Sequence, residues 1–195
     1  MKTKVITICA LLTMIAATSI AQDSGKRFGL ELTANGLAAT SDYGNASLGA
    51  GMGSELNIHY RFMPHLGVYA GWSWNKFSSD QSFAGTDMDF EETGYNLGLQ
   101  FNHPLGISTV SYFVRAGGTW KHLEIENVDG DIISDTGHGL GWQVSAGLEI
   151  PFSSRLSLVP GVKYSSLSRD VTVDGVKTSS GMNYVSVGAG LVWKF

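Results

Sequence analysis

The chain has 195 residues, 43% hydrophobic and only 15% charged, with 25 glycines, 4 prolines and 5 Trp, 7 Tyr and 9 Phe. It is too aromatic and too weakly charged for a disordered segment, and too poor in proline for a collagen. Beyond its first 21 residues it has none of the apolar runs of about 20 that a membrane helix needs, which leaves an all-β chain whose apolar residues are dispersed by alternation.

Lys2 and Lys4 precede an apolar stretch from Val5 to Ala17, followed by Ser19-Ile20-Ala21. A basic start, a short hydrophobic run and a small-x-small site predict a signal peptide over 1–21, cleaved after Ala21, with one domain over 22–195. Cys9 is the only cysteine and lies mid-run, where a lipoprotein cysteine would not, so the mature chain is expected to have no disulfide and no Cys-based metal site. Loss of Lys2 and Lys4 leaves 11 basic against 17 acidic side chains, a net charge of −6, which argues against a nucleic-acid partner.

From there the period is two, the mark of strands with unlike faces. Phe28, Leu30, Leu32 and Ala34 alternate with Gly29, Glu31, Thr33 and Asn35. Leu48 to Phe62 alternates with Gly49, Gly51, Gly53, Glu55, Asn57, His59 and Arg61. Leu66, Val68, Ala70, Trp72 and Trp74 come next, then Tyr95, Leu97, Leu99 and Phe101. A fifth run has Val110, Tyr112, Val114, Ala116 and Trp120 against Ser111, Phe113, Arg115, Gly117, Thr119 and Lys121. The last three centre on Leu140–Ile150, Leu156–Tyr164 and Val185–Phe195. Each of the eight is long enough to cross a bilayer when tilted. Short turns at Met63-Pro64-His65, His103-Pro104-Leu105-Gly106 and Pro151-Phe152-Ser153-Ser154 alternate with long loops at 38–46, 78–92, 126–137 and 168–181. Short periplasmic turns and long extracellular loops are the habit of transmembrane barrels.

A soluble lipocalin-type barrel would put the apolar face inside. Three features oppose that reading. The polar face carries few charges, glycine concentrates on it as a narrow lumen requires, and aromatics gather at strand ends. Phe28, Tyr60, Phe62, Phe101, Tyr112, Trp193 and Phe195 fall toward one end. Trp72, Trp74, Tyr95, Trp120, Trp142, Tyr164 and Tyr184 fall toward the other, giving the two girdles of a lipid-facing belt. The expected fold is an eight-stranded antiparallel up-and-down transmembrane β-barrel in the bacterial outer membrane.

With these strands, loops and the ending Tyr184-Val-Ser-Val-Gly-Ala-Gly-Leu-Val-Trp-Lys-Phe195, residues 25–195 resemble small outer-membrane β-barrels of the OmpA/OmpX type. The resemblance implies that Tyr184, Leu191, Trp193 and Phe195 form an assembly signal for the outer-membrane insertion machinery. It also implies outer-membrane lipid and lipopolysaccharide as surroundings. With the sequence ending at the barrel, the peptidoglycan-binding domain of full-length OmpA-type proteins is not expected.

Parity points Glu31, Glu55, Arg61, Arg115, Lys121, Glu149 and Lys163 into the lumen. Charges in so narrow a space should pair, with Arg115 or Lys163 reaching across to Glu31 and Glu55. A filled lumen is expected, against the alternative of a gated ion path. Asp129-Gly130 and Asp174-Gly175 each sit between β-formers and predict type I′ hairpins that extend the barrel outward, a ribbon able to recruit an extracellular protein partner by strand addition. The acidic loops (Asp80, Asp87, Asp89, Glu91, Glu92; Glu124, Glu126, Asp129, Asp131, Asp135) lack EF-hand spacing. His122 and His138, with Glu124 and Asp135 nearby, could build a His/carboxylate site at the outer rim, but no motif supports a nucleophile, so no enzyme and no cofactor is expected. The expected function is a monomeric structural or adhesive barrel acting through its extracellular hairpins. The alternative is a narrow channel or small-solute conduit of the OmpW type, which would want more lumenal apolar residues than Tyr69, Phe113 and Val159.

Overall fold

The computed structural model describes residues 25–43, 46–82, 85–173 and 176–195, so the expected signal peptide, Cys9, Asp174 and Gly175 lie outside the described residues. Nine strands follow one another: β1 (Phe28–Ala39), β2 (Ala50–Arg61), β3 (Leu66–Ser82), β4 (Gly85–Pro104), β5 (Ser111–Glu126), β6 (Ile132–Asp135), β7 (Gly139–Pro151), β8 (Leu156–Val173) and β9 (Val176–Lys194). Every pairing is antiparallel, in the order β4-β3-β2-β1-β9-β8-β7-β5, and β4 pairs with β5 to close the ring. Eight strands therefore make a closed up-and-down barrel, with β6 a short branch on β5. The seam between first and last strands is pinned by Phe28 and Phe195, whose backbone groups exchange hydrogen bonds of 3.1 and 2.9 Å.

The pleat separates two environments. Leu32, Leu97, Leu140 and Val187 point outward and are 62%, 64%, 81% and 65% exposed. A water-soluble barrel would not present so continuous an apolar belt. Aromatic rings flank it. At one rim Phe28 packs on Tyr60 (4.8 Å) and Phe195 (6.0 Å); at the other Tyr95 stacks on Trp120 (6.3 Å) and Trp142 meets Tyr164 (5.4 Å). Tyr112 and Trp120 mark the two rims of β5 eight residues apart, about 20 Å along a barrel with strands tilted ~40°, close to the usual apolar band.

Two expectations about loops are corrected. Residues 78–92 are not a loop: β3 and β4 stay paired out to Ser82↔Gly85. Likewise β8 and β9 pair out to Val173↔Val176, so most of 168–181 is strand. The turn at Asp129-Gly130 is not type I′ either. Gly130 has a positive φ of 81°, whereas Asp129 does not enter that region. Gly130 N–H donates to the Asn127 carbonyl at 3.0 Å, and the Asn127 side-chain oxygen accepts from the Asp129 and Asp131 N–H groups. That is a three-residue connection with a left-handed glycine, and the β5–β6 register slips beside it at Ile125/Glu126.

The lumen is narrow enough that side-chain volume is decided by parity. Gly117 faces in: a Cβ there would lie 2.5 Å from the Leu97 carbonyl and 2.7 Å from the Tyr69 hydroxyl. Gly118 faces out, with nothing nearer than the Gly141 carbonyl at 3.9 Å. Gly117→Val is expected to cost about 1–3 kcal/mol by overpacking, whereas Gly118→Val should be neutral or stabilising. Urea unfolding of the two variants in lipid vesicles tests the assignment, and equal losses would contradict it.

Candidate functional site

Inside the barrel the charges form successive layers, each an acid with its base. Glu31 takes both guanidinium nitrogens of Arg115, at 2.9 and 2.6 Å, with His59 Nε2 3.2 Å away. Arg115 also donates to Gln100 at 2.7 Å and lies over the Phe113 ring, 4.4 Å from its centroid. Glu55 pairs with the Lys163 ammonium and accepts from Asn57 (2.7 Å) and Asn96 (3.3 Å). Arg115 and Lys163 thus neutralise one glutamate each. The β1–β2 register explains this: Thr33 lies opposite Glu55 and Glu31 opposite Asn57, so the two acids are offset along the axis.

A third layer involves an acid assigned from sequence to a loop. Glu92 is buried and accepts from Lys121 Nζ (2.9 Å), the Tyr184 hydroxyl (2.6 Å) and Asn75 (2.7 Å). Tyr184, expected on the outer girdle, is therefore corrected to the lumen, where it is fully buried. Its even position shares the parity of Ser186 and Gly188, so the alternation carried the signal and its aromatic character obscured it. Glu149, half-buried toward the periplasmic mouth, pairs with Lys194 and accepts from Ser157 at 3.2 Å. Arg61 does not join these layers; it is exposed at the mouth and donates to the Lys26 carbonyl at 3.0 Å. A cavity of about 150 Å³ opens there beside His59, Arg61, Asn102 and Arg115. A smaller one of about 40 Å³ lies between the Glu31 and Glu55 layers.

Above the third layer the lumen becomes apolar. Leu37, Phe77, Phe90, Leu123, Ile125 and Met182 form a buried cluster with Tyr43 and Tyr184. Phe77 packs edge-on against Tyr184 at 5.3 Å. The residues of this cluster lie in or beside the segments expected as loops from the sequence, Tyr43 within 38–46, Phe90 within 78–92 and the others at the strand ends flanking the loops. Phe77, Phe90, Leu123 and Ile125 nonetheless continue the inward parity of β3, β4 and β5.

The outward face of the same extension is polar. The register sets Asp89 opposite Glu126 and Glu91 opposite Glu124, with Asp135 beyond Glu124 on β6. Lys76 bridges the row, 2.9 Å from Asp89, 3.1 Å from Glu91 and 3.8 Å from Glu126. Its bond to Asp89 raises the Lys76 pKa above its ordinary value. Burial pushes Asp89 up, but Lys76 and Ser78 outweigh it and hold the carboxyl below its usual range. Burial and the nearby negative charge of Glu91 raise Glu126. The Trp74 indole, on the upper girdle, donates to Glu91 at 2.9 Å. Phe62 and Trp72 are exposed on the outer surface, as are Phe101 and Trp193.

A family model for the outer membrane protein beta-barrel domain matches residues 7–195. Among solved structures, the Neisserial surface protein A is 17% identical with a TM-score of 0.63, covering 86% of this chain and 97% of that one. OprG of Pseudomonas aeruginosa is 12% identical, TM-score 0.57, covering 88% and 96%. Outer membrane protein W of E. coli is 13% identical, TM-score 0.57, covering 89% and 100%. At these identities the likeness is one of fold. No curated protein matches the chain.

Arg115→Ala would strand Glu31 in the lumen and should cost about 3–5 kcal/mol, whereas the double change Glu31→Leu with Arg115→Met should recover most of that. A double-mutant cycle by urea unfolding reads the difference, and additive losses would dismiss the pair as a coupled unit. At the outer row, Lys76→Met should cost at most about 1 kcal/mol, since the pair is a third exposed. The Lys76–Asp89 contribution is full above the ordinary Asp value of 3.8 and fades as pH falls through the lower folded value; at the alkaline end it is full below 10.5 and fades as pH rises through the higher folded value of Lys76. The deficit of the variant should therefore hold across the neutral range and, on the acid side, shrink only as pH falls below the ordinary Asp value of 3.8.

Proposed function

Because the chain belongs to the outer membrane protein beta-barrel family and resides in the bacterial outer membrane, we propose that it is a non-catalytic, monomeric barrel with a filled lumen and a structural and adhesive role exerted through its extracellular hairpins. In this reading residues 1–21 are the cleaved signal peptide and 22–195 the barrel. The strand ending in Leu191, Trp193 and Phe195 is presented to the insertion machinery, and lipid and lipopolysaccharide surround the belt.

The observation that carries the adhesive part is the β5–β6 hairpin. Its tip exposes Val128 (73%), Ile132 (57%) and Ile133 (43%), about eight residues beyond the Trp120 girdle and so roughly 20 Å above it. Apolar side chains held that far from lipid serve no belt, and β6 is held to the barrel by its pairing with β5 and lies beside β8. Exposed isoleucines at the tip of an extracellular hairpin suit an apolar segment of a partner protein. The hydrophobic cluster under β3, β4 and β5 supports this by stiffening the base on which the hairpin stands.

The cluster corrects the expectation of a lumen with only Tyr69, Phe113 and Val159 as apolar residues, and so meets one requirement of the small-solute alternative. Against ion conduction stand the paired charges and this packed cluster, in series along the same passage. The test compares cells displaying wild type with cells displaying Ile132→Lys plus Ile133→Lys at matched surface levels. Adhesion to host-cell and matrix surfaces should fall at least fivefold, and equal adhesion would remove the adhesive role. In planar bilayers the purified protein should give no stable unit conductance; a stable unit would favour the channel alternative.

A further inference from the structure

The outer wall of the β5–β6 hairpin gathers a set of side chains that the adhesive reading does not use. His122 and Glu124 are two apart on β5 and so share its outward face, and Asp135 of β6 is the register partner of Glu124. His122 Nδ1 lies 3.2 Å from Asp135 Oδ1 and 3.8 Å from Glu124 Oε1, and one donor atom from each of the three residues falls within 4.8 Å of the others.

We propose that His122, Glu124 and Asp135 form a binding site for a divalent transition-metal ion, of which Zn²⁺ is the representative. Tetrahedral zinc with N and O ligands at about 2.0–2.1 Å sets its ligand atoms about 3.3 Å apart, and the two measured edges bracket that value. One imidazole with two carboxylates selects borderline ions such as Zn²⁺, Cu²⁺ or Ni²⁺ over the all-oxygen preferences of Ca²⁺ and Mg²⁺.

The surroundings hold the ligands in place. Asp135 Oδ1 also accepts the Gly137 N–H at 2.8 Å, which fixes the carboxylate by a hydrogen bond from outside the ligand set. The His122 ring stacks on His138 at 4.5 Å, and His138 in turn lies 4.7 Å from Trp120, so the ligand ring is braced from the girdle side. Glu124 faces Glu91 across the β4–β5 register. Two carboxylates directly opposed destabilise a sheet, and a bound cation offsets that repulsion. Lys76 answers Glu91 and Asp89 on the far side of the row, not Glu124 or Asp135. The site lies outside the membrane, where ions reach it from the medium.

A consequence follows for the hairpin. β6 has only three register pairs with β5, interrupted by the slip at Ile125/Glu126. A metal held by both strands would clamp β6 onto β5 just below the exposed tip.

Titration calorimetry with ZnCl₂ on untagged full-length protein folded in detergent micelles should give one saturable site per chain. His122→Ala and Asp135→Asn should each weaken binding at least tenfold, with Glu124→Gln as a second, gentler variant. His103→Ala, at a periplasmic turn, should leave it unchanged. Heat-modifiable migration on gels verifies that each variant is folded. Cu²⁺ in place of Zn²⁺ should show nitrogen hyperfine structure in its electron paramagnetic resonance spectrum, lost in His122→Ala. Zn²⁺ should also slow proteolysis between Asn127 and Ile132. Absence of a saturable site in wild type, or His122→Ala and Asp135→Asn within twofold of wild type, would overturn the proposal. Equal displacement by Ca²⁺ would overturn it too, by reducing the row to a diffuse acidic surface.

Discussion

Closing eight strands into a ring leaves an interior wide enough for side chains and little more, and the rest of this molecule follows from that narrowness. A charge in such a space has lost most of its water, so it must meet an opposite charge and have its remaining lone pairs satisfied. Glu31, Glu55 and Glu92 each do so: Arg115 and Lys163 reach the first two from across the ring, and Lys121 meets Glu92 from the adjacent strand. The first two pairs tie β1 to β5 and β2 to β8 across the lumen, and the third joins the neighbours β4 and β5. Breaking a single member is therefore costly even though the intact pair adds little over a well-packed apolar substitute. Glycine enters on the same account: where Tyr69 crosses the lumen over Gly98 and Gly117, or Phe113 over Gly147, there is no room for a side chain.

The alternation does not change parity along a strand, but its polarity inverts where the solvent changes. On β5, Val114, Ala116 and Trp120 face lipid while Arg115, Thr119 and Lys121 face the lumen. A few residues later His122, Glu124 and Glu126 face water while Leu123 and Ile125 are buried. The same inversion occurs on β3 between Trp74 and Lys76, and on β4 between Tyr95 and Glu91. A transmembrane barrel wall and a soluble β-barrel are thus joined end to end in one set of strands. The junction lies at the Trp74, Tyr95 and Trp120 girdle. Below it the hydrophobic effect is exerted outward, against lipid; above it inward, on the cluster around Phe77 and Phe90.

That inversion explains what the sequence made legible. Within the membrane, one pattern with one polarity runs through eight segments, so strands, faces, girdles and most lumenal charges could be read from parity. Beyond Asn75 and before Tyr95 the apolar residues change sides, so 78–92, with Glu92 and Phe90, lacks the polarity that marks the membrane strands and has the composition of an acidic loop. Tyr184 is ambiguous for a related reason: its parity is inward, but tyrosine near a strand end also suits a girdle. Which base meets which acid was beyond reach. Pairing across the lumen depends on strand stagger, which single-strand periodicity does not encode, so Arg115 and Lys163 were interchangeable until the register was known. Arg61 shows the opposite limit, since inward parity at a strand end leads only to the mouth.

Two unlike seals lie in series along the axis. The lower one is polar, built of ion pairs with small cavities between them, and it could in principle exchange water or protons. The upper one is apolar and buried, and its hydrocarbon side chains do not replace the hydration of an ion. A passage for ions would need both to open, and they respond to different perturbations: the first to loss of a charge, the second to displacement of the extracellular strands that carry Phe77, Phe90, Leu123 and Met182. The second seal is also the base of the β5–β6 hairpin. Under the adhesive reading proposed above, a load on the hairpin tip would be borne by a packed core above the membrane before it reached the charged layers.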